Sequence, residues 1–462
     1  MGTVTRTEQI QFKSKEISAL AHASKNLYNA ANFILRKRFF ENQKLYQEKK
    51  EKGKGIFYCK TEKHPEDGLY EMFKDTDLYK ALPAQTAQWT LKKLCANWTS
   101  YFKNHARWLK EFKANPVKFP VKTKKMPDGT VITKRNSLGH PLRDDEPNIP
   151  KYKHKDGEYI LVFTNQQCKI IDGIIKFPKV VTDKIKTRLS DDTDLREVRI
   201  VPKGVNYVCE IVYDKEINPS ELSFGRIIGI DPNVGNLVAI ANNFGAEPYV
   251  VKGSIAQQMN HYYNQENARL RSIYDKAGIR FGHKLERLNW KRNNKFKDHF
   301  HKISRDIINY CIENNVDTIV IGKNEGWKDG VNLGKENNQN FVPIPIARLI
   351  EMVKYKAEEV GINVVLQQES HTSVCSFLDL ESIEHHDKYV GKRGTSTKKH
   401  PVYFNTSTGK KIPAHRGLFM SSTGQIINSD INGALNIIRK AFPNAFANGI
   451  QGVGLHPYRC YV

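Results

Sequence analysis

Apolar and polar residues alternate with two different periods along the chain, and the changes of period mark its elements. Residues 3–12, with Val4, Ile10 and Phe12 set among polar neighbours, predict a first strand. From Ile17 the apolar positions Leu20, Ala21, Leu27, Tyr28, Ala31, Ile34 and Leu35 follow helical spacing as far as the basic run Arg36-Lys37-Arg38. Residues 46–66, rich in Lys, Glu and Gly, read as a mobile connection. A second helical pattern follows Pro83, with Ala87, Leu91, Leu94, Trp98, Tyr101 and Phe102 on its apolar side; these aromatic residues read as core. Residues 113–150 carry Pro116, Pro120, Pro127, Pro141, Pro147 and Pro150, a density that predicts a basic loop with no packed element. That loop is either a solvated linker or an arm that meets phosphates through Lys122, Lys124 and Lys125. Period-two runs then recur over 158–163, 169–171, 173–177, 197–201 and 207–213, which predicts a small β-barrel. Residues 3–12 join it, leaving the two helices as an insertion.

The second half is arranged around residues 226–236. Apolar residues carry the chain up a strand to Asp231, Pro232 and Gly235 turn it, and Leu237 to Ile240 begin a second strand. A lone acid at a strand end is most often a turn residue. A second acid, Asp430, opens a helix whose apolar residues Ile431, Leu435 and Ile438 recur at spacings of four and three. Between them lie a helical region over 253–313, a short buried strand from Asp317 to Ile321, a helix over 345–360 and a buried strand over 363–366. Hairpin, helices, strand, helix, strand and acid-bearing helix is the wiring of an RNase H-like α/β domain.

Charge narrows the partner. The formal net charge is +24 and the sequence pI about 9.5, an excess interleaved with Tyr, Phe and Trp that points to a phosphate-rich partner. Over 253–313 the residues Lys284, Arg287, Lys291, Arg292, Lys295, Lys302 and Arg305 crowd the faces away from Leu285, Leu288, Phe296, Phe300, Ile303 and Ile307, with few acids among them, as nucleic-acid backbone contact requires. No apolar run approaches the ~20 residues that span a membrane. The start lacks an apolar signal core, which predicts a cytoplasmic protein. Seven scattered cysteines form no CxxC pair and read as reduced thiols.

Six segments together resemble the TnpB family of transposon-encoded, RNA-guided DNA nucleases related to type V CRISPR effectors. They are Gly229-Ile-Asp231-Pro-Asn233, residues 298–305, 317–327, 337–341, 371–376 and Asp430-Ile-Asn-Gly-Ala434. Each is weak alone; their order and spacing are specific, and the resemblance covers nearly the whole chain. It implies a multi-domain α/β protein: a β-barrel (wedge-like) domain over 1–15 and 113–222, a helical recognition lobe over 16–112, and a RuvC-type, RNase H-like nuclease domain over 223–372 and 420–442. A reduced target-strand-binding insert over 373–419 and a tail over 443–462 complete it. It also implies a guide RNA from the transposon end, a double-stranded DNA target next to a short flanking motif, Mg²⁺ or Mn²⁺ as cofactor, and a monomeric ribonucleoprotein.

Two departures from the family pattern matter. The usual second catalytic acid is a Glu at the end of the fourth core strand, where this chain has Gly322. Glu369 ends the neighbouring strand, and parallel neighbours ~4.8 Å apart present their carboxyl ends on one rim. Glu369 is therefore expected to complete a metal site with Asp231 and Asp430, with Glu325 as second choice. The bland reading of Glu369 is a surface acid beside a basic cleft. Secondly, the insert lacks the two CxxC pairs of zinc-bearing relatives; His385, His386, His400 and His415 have no regular zinc spacing, so no structural zinc is expected. Ser373, Lys392, Arg393 and Arg416 are candidate strand contacts there. The competing reading keeps the fold without cleavage, as an RNA-guided DNA-binding repressor whose nuclease centre decayed at Gly322. A transposase reading lacks a tyrosine-plus-histidine centre.

Overall fold

The computed structural model describes residues 3–49, 68–126, 128–135, 140–217, 223–233, 235–279, 282–323, 344–397, 399–447, 449–450 and 452–460. The chain forms two compact units, one of residues 5–215 and one of residues 216–462 with the first four residues.

In the first unit, strand β1 (Thr3–Phe12) leads into helix α1 (Lys15–Lys49), and helix α2 (Ala84–Ala114) follows. Then come β2 (Leu161–Thr164), β3 (Lys169–Ile171), β4 (Ile174–Lys176), β5 (Ile185–Lys186), β6 (Asp194–Lys203) and β7 (Asn206–Glu216). They form a four-stranded sheet in the order β1-β7-β6-β2 and a three-stranded sheet β3-β4-β5. The N-terminal strand thus joins the later ones, as the alternation suggested. Leu27, Tyr28, Leu94 and Trp98 of the helices share one core with Phe163, Ile175, Ile200 and Ile211 of both sheets. The Trp98 indole N–H, fully buried, donates to Asn32 Oδ1 at 3.0 Å.

Two expectations need correction here. Helix α1 does not stop at Arg38 but continues to Lys49, since Lys, Gln and Glu beyond it are good helix formers. The proline-rich stretch is not devoid of elements. Thr123–Lys125 pairs antiparallel with Val131–Thr133, and isolated bridges join Val121 to Arg143 and Arg135 to Pro141. The prolines fall outside the two strands, so no ladder hydrogen bond is lost. Lys124 and Lys125 lie exposed on the first of these strands, with Lys122 half-buried just before it.

The second unit is built on a six-stranded sheet. Its elements are β8 (Ser223–Pro232), β9 (Asn236–Asn242), β10 (Tyr249–Lys252), α3 (Ser254–Lys276), α4 (His283–Glu313), β11 (Val316–Lys323), α5 (Ile346–Glu359), β12 (Asn363–Gln368), α6 (Ser429–Ala441) and β13 (Tyr458–Cys460). The strand order is β12-β11-β8-β9-β10-β13. β8 and β9 form the expected antiparallel hairpin, while β11 runs parallel to β8 and β12 parallel to β11. Ile228, Ile230, Ile319 and Ile321 face α4 and α5, packing with Phe300, Ile303, Ile307, Leu349 and Val353. The opposite face carries α6: Ile227 and Val320 pack on Ile437 and Ile438, and Ala239 and Ala241 on Ile431 and Leu435. Gly229 lets the helix approach closely, because a Cβ there would run into the Ala434 carbonyl and lie 2.7 Å from Ile438 Cγ1. β12 is an edge strand rather than a buried one, with Leu366 39% exposed. The insert after β12 contributes Lys392–Arg393, paired to Leu418–Met420, which pairs in turn to Ile426–Asn428.

Candidate active site

Register brings three chain segments to one edge of this sheet. Ile230 pairs with Ile321, so Asp231 comes level with Gly322; Gly322 pairs with Gln367, and Glu369 stands two residues beyond. Paired residues in a ladder point to the same face, and side chains alternate along a strand. Asp231, Gly322 and Glu369 therefore share the face that carries α6. The Glu369 side chain lies across the bare backbone of Gly322: a Cβ at position 322 would come 2.7 Å from Glu369 Cγ and 2.7 Å from Ile437 Cδ1. A turn fixes the backbone after the strand, where Thr372 donates to the Glu369 carbonyl through both its N–H (3.1 Å) and its hydroxyl (2.8 Å).

Asp430 arrives from the start of α6. Asn428 caps that helix, its Oδ1 accepting from the Asp430 and Ile431 amides at 3.0 and 3.2 Å. The Asp430 carboxylate accepts from Asn233 Nδ2 (2.9 Å) on one oxygen and Asn236 Nδ2 (2.6 Å) on the other, and a guanidinium nitrogen of Arg393 stands 3.8 Å away. Both asparagines belong to the turn after Asp231, so the hairpin grips the helix start directly. Gly433, one turn into α6, faces Asp231; a Cβ there would lie 2.6 Å from Asp231 Oδ2.

The electrostatics record the convergence. The Asp231 carboxyl is pushed well above the ordinary carboxylate range by burial first, then by the charges of Glu369 and Asp430, with Arg393 opposing. Burial also pushes the Glu369 carboxyl up, to about 7. Like charges held together out of water favour protonation or a cation. Among the described residues, no three His, Cys, Asp or Glu side chains form a ready-made metal cage. The donor chemistry nevertheless suits a hard divalent ion: all candidates are carboxylate oxygens, and the hydrogen bonds at Asp430 leave each oxygen further lone pairs.

The matches to known proteins follow the same residues. A family model described as a probable transposase (OrfB_IS605) matches residues 210–328, which include Asp231 and Gly322. A second, for the Cas12f1-like TNB domain, matches residues 347–437, which include Glu369 and Asp430. The TnpB-like protein ORF457 of Acidianus two-tailed virus is 21% identical over 458 residues, covering 93% of this chain and 84% of that protein. The chain is thus similar to a TnpB-like protein over most of its length. Among solved structures it is similar to Cas12f1 in a complex with sgRNA and target DNA, at 15% identity and a TM-score of 0.46, over 91% of this chain and 82% of that one. Cas12i1 in an R-loop complex after target DNA cleavage matches 56% of this chain and 44% of that one, at 10% identity and a TM-score of 0.36.

Of the expected acids, Asp231, Glu369 and Asp430 come together; Glu325 lies outside the described residues. Lys284, Arg287, Lys291, Lys295, Lys302 and Arg305 are exposed along α4, although Lys302 pairs with Asp298 at 3.1 Å. Arg292 differs from the expectation. It is half-buried, donates to Asn260 Oδ1 at 2.9 Å and lies over the rings of Tyr263 and Phe296, so it packs the helix pair instead of standing free for phosphate. Arg416 is exposed on the insert, and its carbonyl accepts from Arg393 Nε at 3.2 Å.

Sequence reasoning missed the amide network beneath the site. Asn432 and Asn436, fully buried one helical turn apart, bind the chain just after Glu369. Asn432 accepts from the Phe377 amide and donates to the Cys375 carbonyl, both at 2.9 Å; Asn436 donates to the carbonyls of Thr372 (2.9 Å) and Cys375 (2.8 Å). Lys440, a further turn on, donates to the Ser370 carbonyl (2.9 Å) and hydroxyl (2.8 Å). The i, i+4 asparagines on an otherwise apolar face were the available signal.

Proposed function

We propose that this chain is a TnpB-family, RNA-guided, metal-dependent DNA endonuclease of the RuvC type, encoded by a transposon and cutting beside a short flanking motif. The observation that carries the reading is the Glu369 carboxyl lying across Gly322 beside Asp231. The acid absent from one strand is supplied by its neighbour, on the same face and at the same rim. The six-stranded sheet with α6 on one face and α4 and α5 on the other supports an RNase H-like domain over residues 223–372 and 420–442. The sheets and helices of residues 5–215 are read as the wedge-like barrel and the helical guide-binding lobe, with 373–419 as a reduced strand-binding insert.

Asp231, Glu369 and Asp430 would hold Mg²⁺ or Mn²⁺, which supplies Lewis-acid polarisation of the scissile phosphate and a water of lowered pKa. The chain's own residues prepare that chemistry. Asn233 and Asn236 orient the Asp430 carboxylate, one amide to each oxygen, and fix it against the Asp231 turn. The turn at Thr372 fixes the backbone from which Glu369 reaches across Gly322. Arg393 places a guanidinium beside the acids, available to a phosphate brought there. Sequence-specific recognition is delegated to base pairing with the guide, while exposed cations such as Lys284 and Arg287 hold the backbone.

The test is cleavage by the protein purified with the RNA it carries from cells. Target DNA bearing the complementary sequence should be cut in Mg²⁺ or Mn²⁺, and cutting should vanish on removing the RNA or replacing Asp231 by Ala. A folded complex that binds target yet leaves it intact in both metals would favour the repressor reading instead.

A further inference from the structure

Helices α3 and α4 pack antiparallel, with the Tyr263 hydroxyl donating to Asn289 Oδ1 at 2.6 Å and Arg292 donating to Asn260 at 2.9 Å. Along their seam runs an open groove of about 830 Å³. The cleavage reading uses cations at its rim, Lys284 and Arg287, but not the space itself.

Tyr262, Tyr263 and Trp290 line the groove, and Tyr262 is left 58% exposed. The Trp290 indole Nε1–H is buried, and among the described residues it has no hydrogen-bond partner. A buried donor without a partner costs free energy that a ligand acceptor would recover. Arg292, stacked at 4.8 Å on the Tyr263 ring, stiffens one wall in advance. The rim carries Lys284, Arg287, Lys291 and Lys295. Among the described residues Glu266 is the one acid lining the groove, and it is committed to Arg269 at 2.9 Å.

From this we infer that the groove captures an unpaired nucleobase of a single-stranded nucleic acid, stacked on Tyr262 with an acceptor on its edge taking the Trp290 N–H, while the rim lysines and Arg287 hold the adjoining phosphates. The volume lies in the range that encloses one ligand of nucleotide size and excludes a duplex. An acidic peptide would answer the rim charges and its carbonyls would take the indole N–H, but its acidic side chains offer no flat face to stack on Tyr262. Base-on-aromatic stacking over a cationic groove is the general means of holding a single strand without reading its sequence. The strand's source is either the RNA partner or an unwound DNA strand, and the two share this chemistry.

The experiment is photo-crosslinking of the full chain to short oligouridine containing 5-iodouridine and, in a separate arm, oligodeoxythymidine containing 5-iododeoxyuridine, with the joined peptides mapped by mass spectrometry. The expected crosslink falls on Tyr262 or Trp290. A crosslink in the RNA arm alone assigns the site to the guide, in the DNA arm alone to an unwound strand, and in both to either. Tyr262→Ala should weaken single-strand binding at least about 5-fold, and the loss should vanish on an oligonucleotide whose bases have been removed. Trp290→Phe keeps the ring and removes the donor, so it should weaken binding to base-bearing strands while the fold stays intact. Crosslinks that fall only outside α3 and α4, or Tyr262→Ala binding equal to wild type, would overturn the inference. Guided cleavage by the same preparations is read separately, so the groove and the nuclease reading stand or fall independently.

Discussion

Glu369 occupies the space that a side chain at Gly322 would need. On the proposed function, one strand forgoes its side chain and its neighbour sends a carboxylate into the space. Glu369→Gln keeps the shape and removes the charge. The variant should bind RNA and target as wild type does and cut at least ~10²-fold more slowly in single-turnover assays. Unchanged cutting would turn attention to Glu325.

The same pairing predicts a rescue. Gly322→Ala alone forces the Glu369 side chain aside, costing about 1–3 kcal/mol of stability as overpacking does and slowing cleavage further. Gly322→Glu combined with Glu369→Gly returns the acid to the inner strand and empties the space it needs. This double variant should cut faster than Glu369→Gly alone, a comparison that a purely structural role for Glu369 would leave flat.

Gly433 offers a cleaner separation of fold from chemistry. Ala is favoured over Gly inside a helix by about 1 kcal/mol, but the added methyl would press on Asp231 Oδ2, the movable end of a side chain. The displacement is cheap for the fold and harmful to the site. Gly433→Ala should therefore melt within a few degrees of wild type while cutting falls at least ~10-fold, measured on the same preparation.

The raised carboxyls set a pH dependence for the metal-free protein. Burial pushes the Glu369 carboxyl up from an ordinary 4.5 to about 7, and Asp231 is displaced in the same direction. Between those values the folded chain binds more protons than the unfolded one, so stability falls as pH rises through the window. In EDTA, Tm should drop from about pH 5 to about pH 8, and Glu369→Gln should flatten the slope. Adding Mg²⁺ should raise Tm more at the upper end, where the carboxylates are charged and their repulsion is there to be offset.

The buried amides behind Glu369 should matter through position alone. Asn436→Ala strips hydrogen bonds from two carbonyls, Thr372 and Cys375, and should cost about 1–3 kcal/mol, seen in denaturant melts. Lys440→Met leaves the core intact but frees Ser370. It should lower the cleavage rate with little change in target affinity.

Much of this is legible in the sequence. The hairpin at Asp231 and the apolar spacing of α6 follow from local periodicity, and β11 announced itself as an uninterrupted apolar run. The expectation for Glu369 rested on neighbouring parallel strands sharing one rim, across a gap a Glu side chain can span; the face it takes follows from the ladder register. What escaped has physical reasons. The exposed strands at Thr123–Lys125 and Val131–Thr133 bury nothing, so no period betrays them. β12 reads as buried from its valines, yet edge position is a property of the whole sheet. Arg292 looked like its neighbours on α4, and only the opposing Tyr263 and Asn260 reveal that it packs inward. The asparagine network binds carbonyls of a turn that approaches α6 solely in three dimensions.

The grip of Asn233 on Asp430 joins positions 197 residues apart, and helix α6 must emerge before it can form. At synthesis rates of about 5–20 residues per second, the hairpin waits roughly 10–40 s for its counterpart. A growing polypeptide on the ribosome therefore carries its basic helix α4 well before the carboxylates of Asp231 and Asp430 can meet.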